Sequence, residues 1–199
     1  EADILMQVQT QIITPKNGYN IIGCVEDSIT GCYILTKEKE FTKEEATSIL
    51  TSIGIDNVKF SKEKLTGSEV FSALFPSDFN FIRKNKKGEI TLQVKEGNLI
   101  KGIIDKNTIG ENNGELIREF YRKYGQDRTI DLLGDIFKVG IKMLLKEGFT
   151  TGISDSDIST EAYSKINSVL RKAYSYVDEY ITKYEKNKIE ILPGKSALE

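Results

Sequence analysis

Between Ser159 and Asn187 the apolar residues Tyr163, Ile166, Leu170, Ala173, Val177, Ile181 and Tyr184 recur at steps of three and four. That spacing marks one face of an α-helix. At 1.5 Å per residue such a helix spans roughly 40 Å. A helix of that length with a single apolar stripe is half of a helical hairpin or needs a partner. The C-terminal part is therefore helical, and two further segments agree. One opens with Asn113 as N-cap, carries Leu116, Ile117, Phe120, Tyr121 and Tyr124 on its apolar face, and stops at Gly125. The next, about 127–147, carries Ile130, Leu133, Ile136, Phe137, Ile141, Leu144 and Leu145 and ends at Gly148.

The first part is mixed. Residues 1–11 read as the end of a helix with Ile4, Leu5 and Val8 on one face, and "ITPKNGYN" (13–20) is a turn signal. Residues 24–35 have helical spacing. Capping boxes, Thr42 with Glu45 and Thr66 with Glu69, open two helices, and Pro76 ends the second. "EITLQV" and "NLIKGII", joined by "KEGN", form a β-hairpin signal. The expected class is α+β: a mixed part with a β-hairpin to about residue 110, then a helical part with a long helix. No internal repeat is present.

Chemistry is bounded by what the chain lacks. Its 199 residues contain no histidine, which removes the commonest general base and the commonest metal ligand. Two cysteines without histidine cannot complete a tetrahedral zinc site. If residues 24–35 are helical, Cys24 and Cys32 stand about 12 Å apart, too far for a disulfide, so both read as buried thiols in a reducing compartment. Net charge is −2, and acids against bases in the blocks 1–35, 36–100, 101–158 and 159–199 give −3, +1, −1 and +1. No block has the positive field of an autonomous nucleic-acid binder. "RKNKK" (83–87) reads as a solvated turn. No apolar run approaches the roughly 20 residues of a membrane span. "EADILMQVQTQ" has acids where a signal peptide is basic, and without an initial Met the chain reads as an excised segment whose final "LE" is a cloning scar.

The adjacent acids of "IIGCVEDSITGCYIL" (21–35) are the first candidate site. Neighbours on a helix point about 100° apart, so Glu26 and Asp27 cannot converge on one proton or metal. Gly23 and Gly31 flank Asp27 at i−4 and i+4, so another backbone can approach closely and donate to its carboxylate. Gly23, Asp27 and Gly31 are accordingly read as structural. "GISDSD" (152–157) lacks the spaced ligands of a calcium loop and reads as the N-terminal cap of the long helix. "IDKNTIGENNGEL" (104–116) is a binding loop or a plain connector. With no nucleotide-binding glycine loop, nucleophile elbow or metal cluster, the residues alone describe a non-catalytic module.

Four ordered stretches also carry a resemblance. "MQVQTQIITPKNGYNIIGCVEDSITGCYILT" (6–36) resembles the segment after the catalytic motif in the largest subunit of multisubunit DNA-directed RNA polymerases of archaeal, eukaryotic and large-virus type. "LTGSEVFSALFPSDFNF" (65–81), "GIIDKNTIGENNGELI" with "KEGFTTGISDSDI" (146–158), and "ILPGKS" (191–196) resemble its later landmarks. The resemblance implies the end of an active-site-domain helix over 1–11, a pore domain over 12–115 and the N-terminal part of a funnel domain over 116–199. These line the secondary channel, which admits nucleoside triphosphates, backtracked RNA and the transcript cleavage factor.

The catalytic "NADFDGD" motif is absent, so the resemblance implies no catalytic residue and no cofactor in this segment, with Mg2+ belonging to the complete enzyme. Pore-facing positions map onto Asn17, Gly18, Tyr19, Glu26, Lys106 and Asn107, and Lys106 is the leading functional residue because RNA and triphosphates are anionic. Three positions depart from the family pattern: Glu26 replaces glutamine, Tyr19-Asn20 replaces a loop that carries Lys or Gly-Pro elsewhere, and Lys106-Asn107 replaces a Lys pair. The implied partners are the other polymerase subunits, nascent RNA, triphosphates and the cleavage factor, with no membrane. The implied location is cytoplasmic for an archaeal or viral source and nuclear for a eukaryotic one. The alternatives are a free-standing helical protein-interaction module without catalytic activity and a small carboxylate-dependent hydrolase, the latter disfavoured by the missing histidine and the divergent acids.

Overall fold

In the computed structural model, which describes residues 1–37, 39–56, 58 and 60–186, the chain opens with a helical turn, α1 (Ala2–Leu5), and a 3₁₀ turn, Val8–Gln11. The continuous helix expected over 1–11 is broken because Gln7 is extended (φ −64°, ψ 130°), and Ile4, Leu5 and Val8 are exposed. The turn at 13–20 forms as expected: Thr14 N–H donates to Tyr19 O at 2.9 Å, Ile13 bridges Asn20, and Gly18 turns the chain at φ 70°.

Helix α2 runs Glu26–Thr36, two residues later than the spacing of 24–35 indicates. Its buried face is Ser28, Gly31, Cys32 and Leu35, the i, i+3, i+4, i+7 pattern of a helix lying on a core. Strand β1 (Glu40–Thr42) pairs antiparallel with β2 (Lys64–Thr66), and each leads directly into a helix, α3 (Lys43–Thr51) and α4 (Gly67–Ser72). Both capping boxes form, with Thr42 and Thr66 Oγ1 each accepting from the N3 amide at 3.3 Å.

A three-stranded antiparallel sheet follows, in the order β3 (Phe81–Lys84), β4 (Ile90–Lys95), β5 (Asn98–Lys101). The expected hairpin is β4–β5. Glu96 and Gly97 take φ 50° and 73°, the twist of a two-residue I′ turn. Strands β1, β2 and β3 carry too few alternating residues to register as periodic.

Helix α5 (Lys106–Ile109) leads to α6 (Glu115–Glu147). The expected stop at Gly125 is a break inside α6, at φ 79° and ψ −177°. The N-cap is Gly114 rather than Asn113. Beyond the break the buried residues are Thr129, Leu132, Leu133, Ile136, Val139, Gly140 and Met143, while Phe137 and Leu145 are exposed. The expected apolar face is thus rotated, because α6 presents Gly140 to α2 in the most extensive contact between elements. A Cβ at Gly31 would fall inside contact distance of the Gly140 carbonyl, and one at Gly140 inside that of the Ser28 carbonyl. An aromatic cluster fills the other end of the core, with Phe79 to Phe120 at 5.3 Å and Phe120 to Tyr124 at 4.5 Å between ring centroids.

Residues Glu1–Phe149 make one compact unit and the chain from Thr150 a second. In the second, "GISDSD" forms a 3₁₀ turn (Ile153–Ser156), and Ser159, not this turn, caps the long helix α7 (Thr160–Glu185) by accepting from Ala162 N–H at 3.2 Å. Tyr163, Ile166, Leu170, Val177, Ile181 and Tyr184 are all exposed on α7. The "ILPGKS" landmark and the terminal "LE" lie outside the described residues.

Two outcomes follow from this packing. Gly31→Ala forces backbone apart at the α2–α6 crossing and costs about 1–3 kcal/mol or more. Gly134→Ala, where a Cβ meets nothing within 4 Å, removes a mid-helix glycine and adds about 0.5–1 kcal/mol. Opposite displacements of the urea midpoint at constant m check both. In the first capping box, the hydrogen bond from Lys146 and then the Thr42 N–H hold the Glu45 carboxyl at about 2, against an ordinary 4.5. A depressed carboxylate stabilises above its unfolded pKa and loses that contribution as pH falls. The contribution of Glu45 is therefore complete above pH 4.5 and fades toward about 2; an acid titration followed by circular dichroism is expected to lose part of this limb in Glu45→Gln.

Candidate functional site

Two backbone junctions build the site. At the first, Asn20 is fully buried and its side chain donates to Gly110 O at 2.8 Å and Ile22 O at 3.0 Å while accepting from Gly114 N–H at 2.8 Å. Its own carbonyl accepts from Asn112 N–H at 2.8 Å. The turn carrying Asn17, Gly18 and Tyr19 is thereby tied to the loop between α5 and α6. At the second, Cys24 N–H donates to Ile109 O at 2.9 Å, and Cys24 bridges Gly110 in parallel. A Cβ at Gly23 would strike the Gly110 backbone, so this glycine is what lets the two segments touch.

The second junction sets the start of α2 beside α5, and a cleft of about 400 Å³ opens between them, lined by Cys24, Val25, Glu26, Ile29, Thr30, Lys106 and Glu111. Glu26 and Lys106, eighty positions apart in sequence, are thus brought together. Glu26 takes φ 43°, a left-handed backbone that costs a non-glycine residue roughly 1–2 kcal/mol. It is held there because Ser28 Oγ donates to Val25 O at 2.6 Å and accepts from Val25 N–H at 3.1 Å. Lys106 also borders a second cleft of about 500 Å³, mostly apolar, with Ile29, Tyr33, Ile34, Lys37, Lys39, Asp105 and Phe149.

A half-buried arginine positions α5. Arg83 Nη1 donates to both Asp105 oxygens at 3.1 and 3.2 Å, its Nε lies 3.6 Å from Glu115, and Thr108 Oγ1 donates to Asp105 Oδ1 at 2.5 Å. Arg83 belongs to "RKNKK", so that stretch is not wholly a solvated turn. With Asp105 and Glu115 engaged by Arg83, Lys106 makes no ion pair among the described residues. Burial pushes the Cys24 thiol up to about 11, a hydrogen bond with Ser28 acting the other way, and burial raises Cys32 well above its ordinary value. Neither is a thiolate nucleophile at neutral pH.

Asp27 differs from expectation. It is exposed and accepts no hydrogen bond among the described residues. Gly23 precedes the helix rather than sharing its face, and the position facing Gly140 is Ser28. Asp27 and Glu26 are the acids of the first turn of α2, favourable at the positive end of the helix dipole. Asn107 is exposed on α5 and, like Asn17, Gly18 and Tyr19, does not line the cleft of Glu26 and Lys106. Among the described residues no three Cys, Asp or Glu side chains converge on a common point. Among them no helix is long and apolar enough to cross a membrane.

A family profile described as RNA polymerase Rpb1, domain 3, matches residues 11–156. The chain belongs to this family. It is 36% identical to DNA-directed RNA polymerase subunit Rpo1N of Methanocaldococcus jannaschii, with 98% of this chain and 16% of that protein covered. It is 35% identical to Rpo1N of Sulfolobus acidocaldarius, covering 98% and 25%, and 31% identical to that of Halobacterium salinarum, covering 98% and 21%. The chain thus spans between about a sixth and a quarter of the length of these curated relatives.

Within this Rpb1 domain 3 chain, sequence reasoning missed Asn20, Arg83, Asp105 and Glu111. Asn20 was legible only as a turn residue. Arg83 and Asp105 are twenty-two positions apart, and only the hairpin fold unites them. Asn20→Ala leaves the buried Gly110 carbonyl and Gly114 amide without their partner, at about 1–3 kcal/mol each. A loss of roughly 3 kcal/mol in urea unfolding is expected, with the chemical-shift changes concentrated in residues 13–20 and 110–114.

Proposed function

We propose that this chain is the part of an RNA polymerase largest subunit that lines the secondary channel during DNA-templated transcription, and that Lys106 contacts the anionic cargo of that channel. The observation that carries the reading is the juxtaposition of Glu26 and Lys106 across one cleft, with Lys106 free of any ion pair among the described residues. An unneutralised ammonium beside open space attracts phosphate, and flanking Glu26 and Glu111 limit how long a polyanion stays. The cleft offers no nucleophile paired with a base, since its one thiol is held protonated by burial. Its chemistry is electrostatic guidance. The partners on this reading are the other polymerase subunits, nascent RNA, nucleoside triphosphates and a transcript cleavage factor, and the catalytic metal belongs to another part of the enzyme.

The test uses assembled polymerase carrying Lys106→Ala. Backtracking and the response to the cleavage factor are expected to change severalfold while nucleotide addition on an unpaused template stays near the parent rate. Parent behaviour in both assays would remove the assignment. The isolated chain is expected to add no nucleotides and to bind DNA weakly at physiological salt.

A further inference from the structure

Arg118, in the first turns of α6, holds its Cζ 5.0 Å from the centroid of the Tyr19 ring. Among the described residues its Nε is the one buried side-chain nitrogen or oxygen without a hydrogen-bond partner. The acids nearest in sequence are engaged elsewhere: Glu115 lies 3.6 Å from Arg83 Nε, and Glu119 lies 2.7 Å from Arg122 Nη2. A buried orphan donor in a folded protein requires a reason, and a guanidinium is charged at every accessible pH.

The placement is built by the same anchor that organises the site. Tyr19 precedes Asn20, whose side chain accepts from the amide of Gly114, the N-cap of α6. One buried amide therefore positions both the ring and the helix start that carries Arg118. A ring over the face of a guanidinium leaves the in-plane N–H groups as its donors, and because Nε is buried, an external acceptor would meet the terminal nitrogens. Tyr19 itself is 44% exposed. Forked donors suit a phosphate in bidentate contact, and an exposed aromatic suits an unpaired base.

We infer that Arg118, seated on Tyr19, is a phosphate-binding residue for a nucleotide-bearing ligand, a single-stranded RNA or a free nucleoside triphosphate. This rests on the channel-wall reading above and adds to it a residue outside the cleft of Lys106. Arg118 supplies the charge, and Tyr19 orients it.

The experiment titrates the 199-residue chain with a short oligouridylate and, separately, with ATP, following amide shifts at several salt concentrations. For the ligand that occupies the site, Arg118→Gln is expected to lower the slope of log affinity against log salt by about 0.7, the contribution of one phosphate contact on a single strand. Arg118→Lys is expected to keep that slope while weakening binding, because it retains the charge and loses the planar fork. Thermal melts of both variants separate loss of contact from loss of fold. A change confined to the oligonucleotide identifies RNA, and one confined to ATP identifies the triphosphate. An unaltered slope for both ligands in Arg118→Gln, with binding still weakened by Lys106→Ala, overturns the role of Arg118 and leaves the wall reading standing. Insensitivity to either variant overturns both. Arg118-dependent capture of a polyglutamate peptide, without such dependence for RNA or ATP, also overturns the inference.

Discussion

The crossing of α2 over α6 at Gly31 and Gly140 is the contact on which the rest of the first unit depends. Neither position has room for a methyl group, so the two backbones meet without intervening side chains. Such close approach fixes the rotation of both helices, because only one face of each carries the required glycine. With that rotation set, Ser28, Cys32 and Leu35 of α2 and Ile136, Val139 and Met143 of α6 turn inward. The N-terminus of α2 is then held in reach of α5, where a second close approach, Gly23 against Gly110, forms the Cys24 bridge. Contacts at two points, on α2 and just before it, leave the helix no freedom to swing, and Glu26 at its start is positioned by the core.

Charge is arranged around this frame so that Lys106 is left without an ion pair among the described residues. Arg83 is half-buried and takes both Asp105 and Glu115. A desolvated arginine with a single acid would carry a net penalty, and its planar fork suits the multiple acceptors supplied here. Asp105, which borders a cleft together with Lys106, is thereby committed to Arg83. What faces solvent along α5 is then an ammonium with Glu26 and Glu111 on one side and Lys37 on the other. Signs thus alternate locally around Lys106 in a chain whose net charge is −2.

Local rules carried much of the fold. Capping boxes at Thr42 and Thr66, the turn at Asn17-Gly18, the β4–β5 hairpin and the break at Gly125 each depend on residues within five positions of one another, and all could be read directly. What could not be read depends on distant pairing. The true inward face of α6 follows from Gly140 meeting Gly31, which no periodicity reports, and the side chains Phe137 and Leu145 were placed inward for that reason. Asp27 was misjudged in the same way, since its supposed neighbour Gly23 packs on Gly110 before the helix begins and is not part of it. In the site, Lys106 and Glu26 were reached through family resemblance. Asn20 and Arg83 act across 90 and 22 positions and are invisible to any window.

Helix α7 shows the limit of local stabilisation. It is capped by Ser159 and laced by Glu161–Lys165 at 2.9 Å and Glu179–Lys183 at 2.8 Å, devices worth a few tenths of a kcal/mol to about one each. A lone helix in water is marginal because nucleation is costly, and packing of an apolar face ordinarily supplies the balance. No residue of α7 is buried, yet its tyrosines and aliphatics keep the three-and-four spacing for its whole length. Apolar side chains at such regular spacing have no role in a solvated helix, since each exposes surface without gain. The stripe thus keeps the pattern from which the sequence reads half of a helical hairpin or a helix in need of a partner.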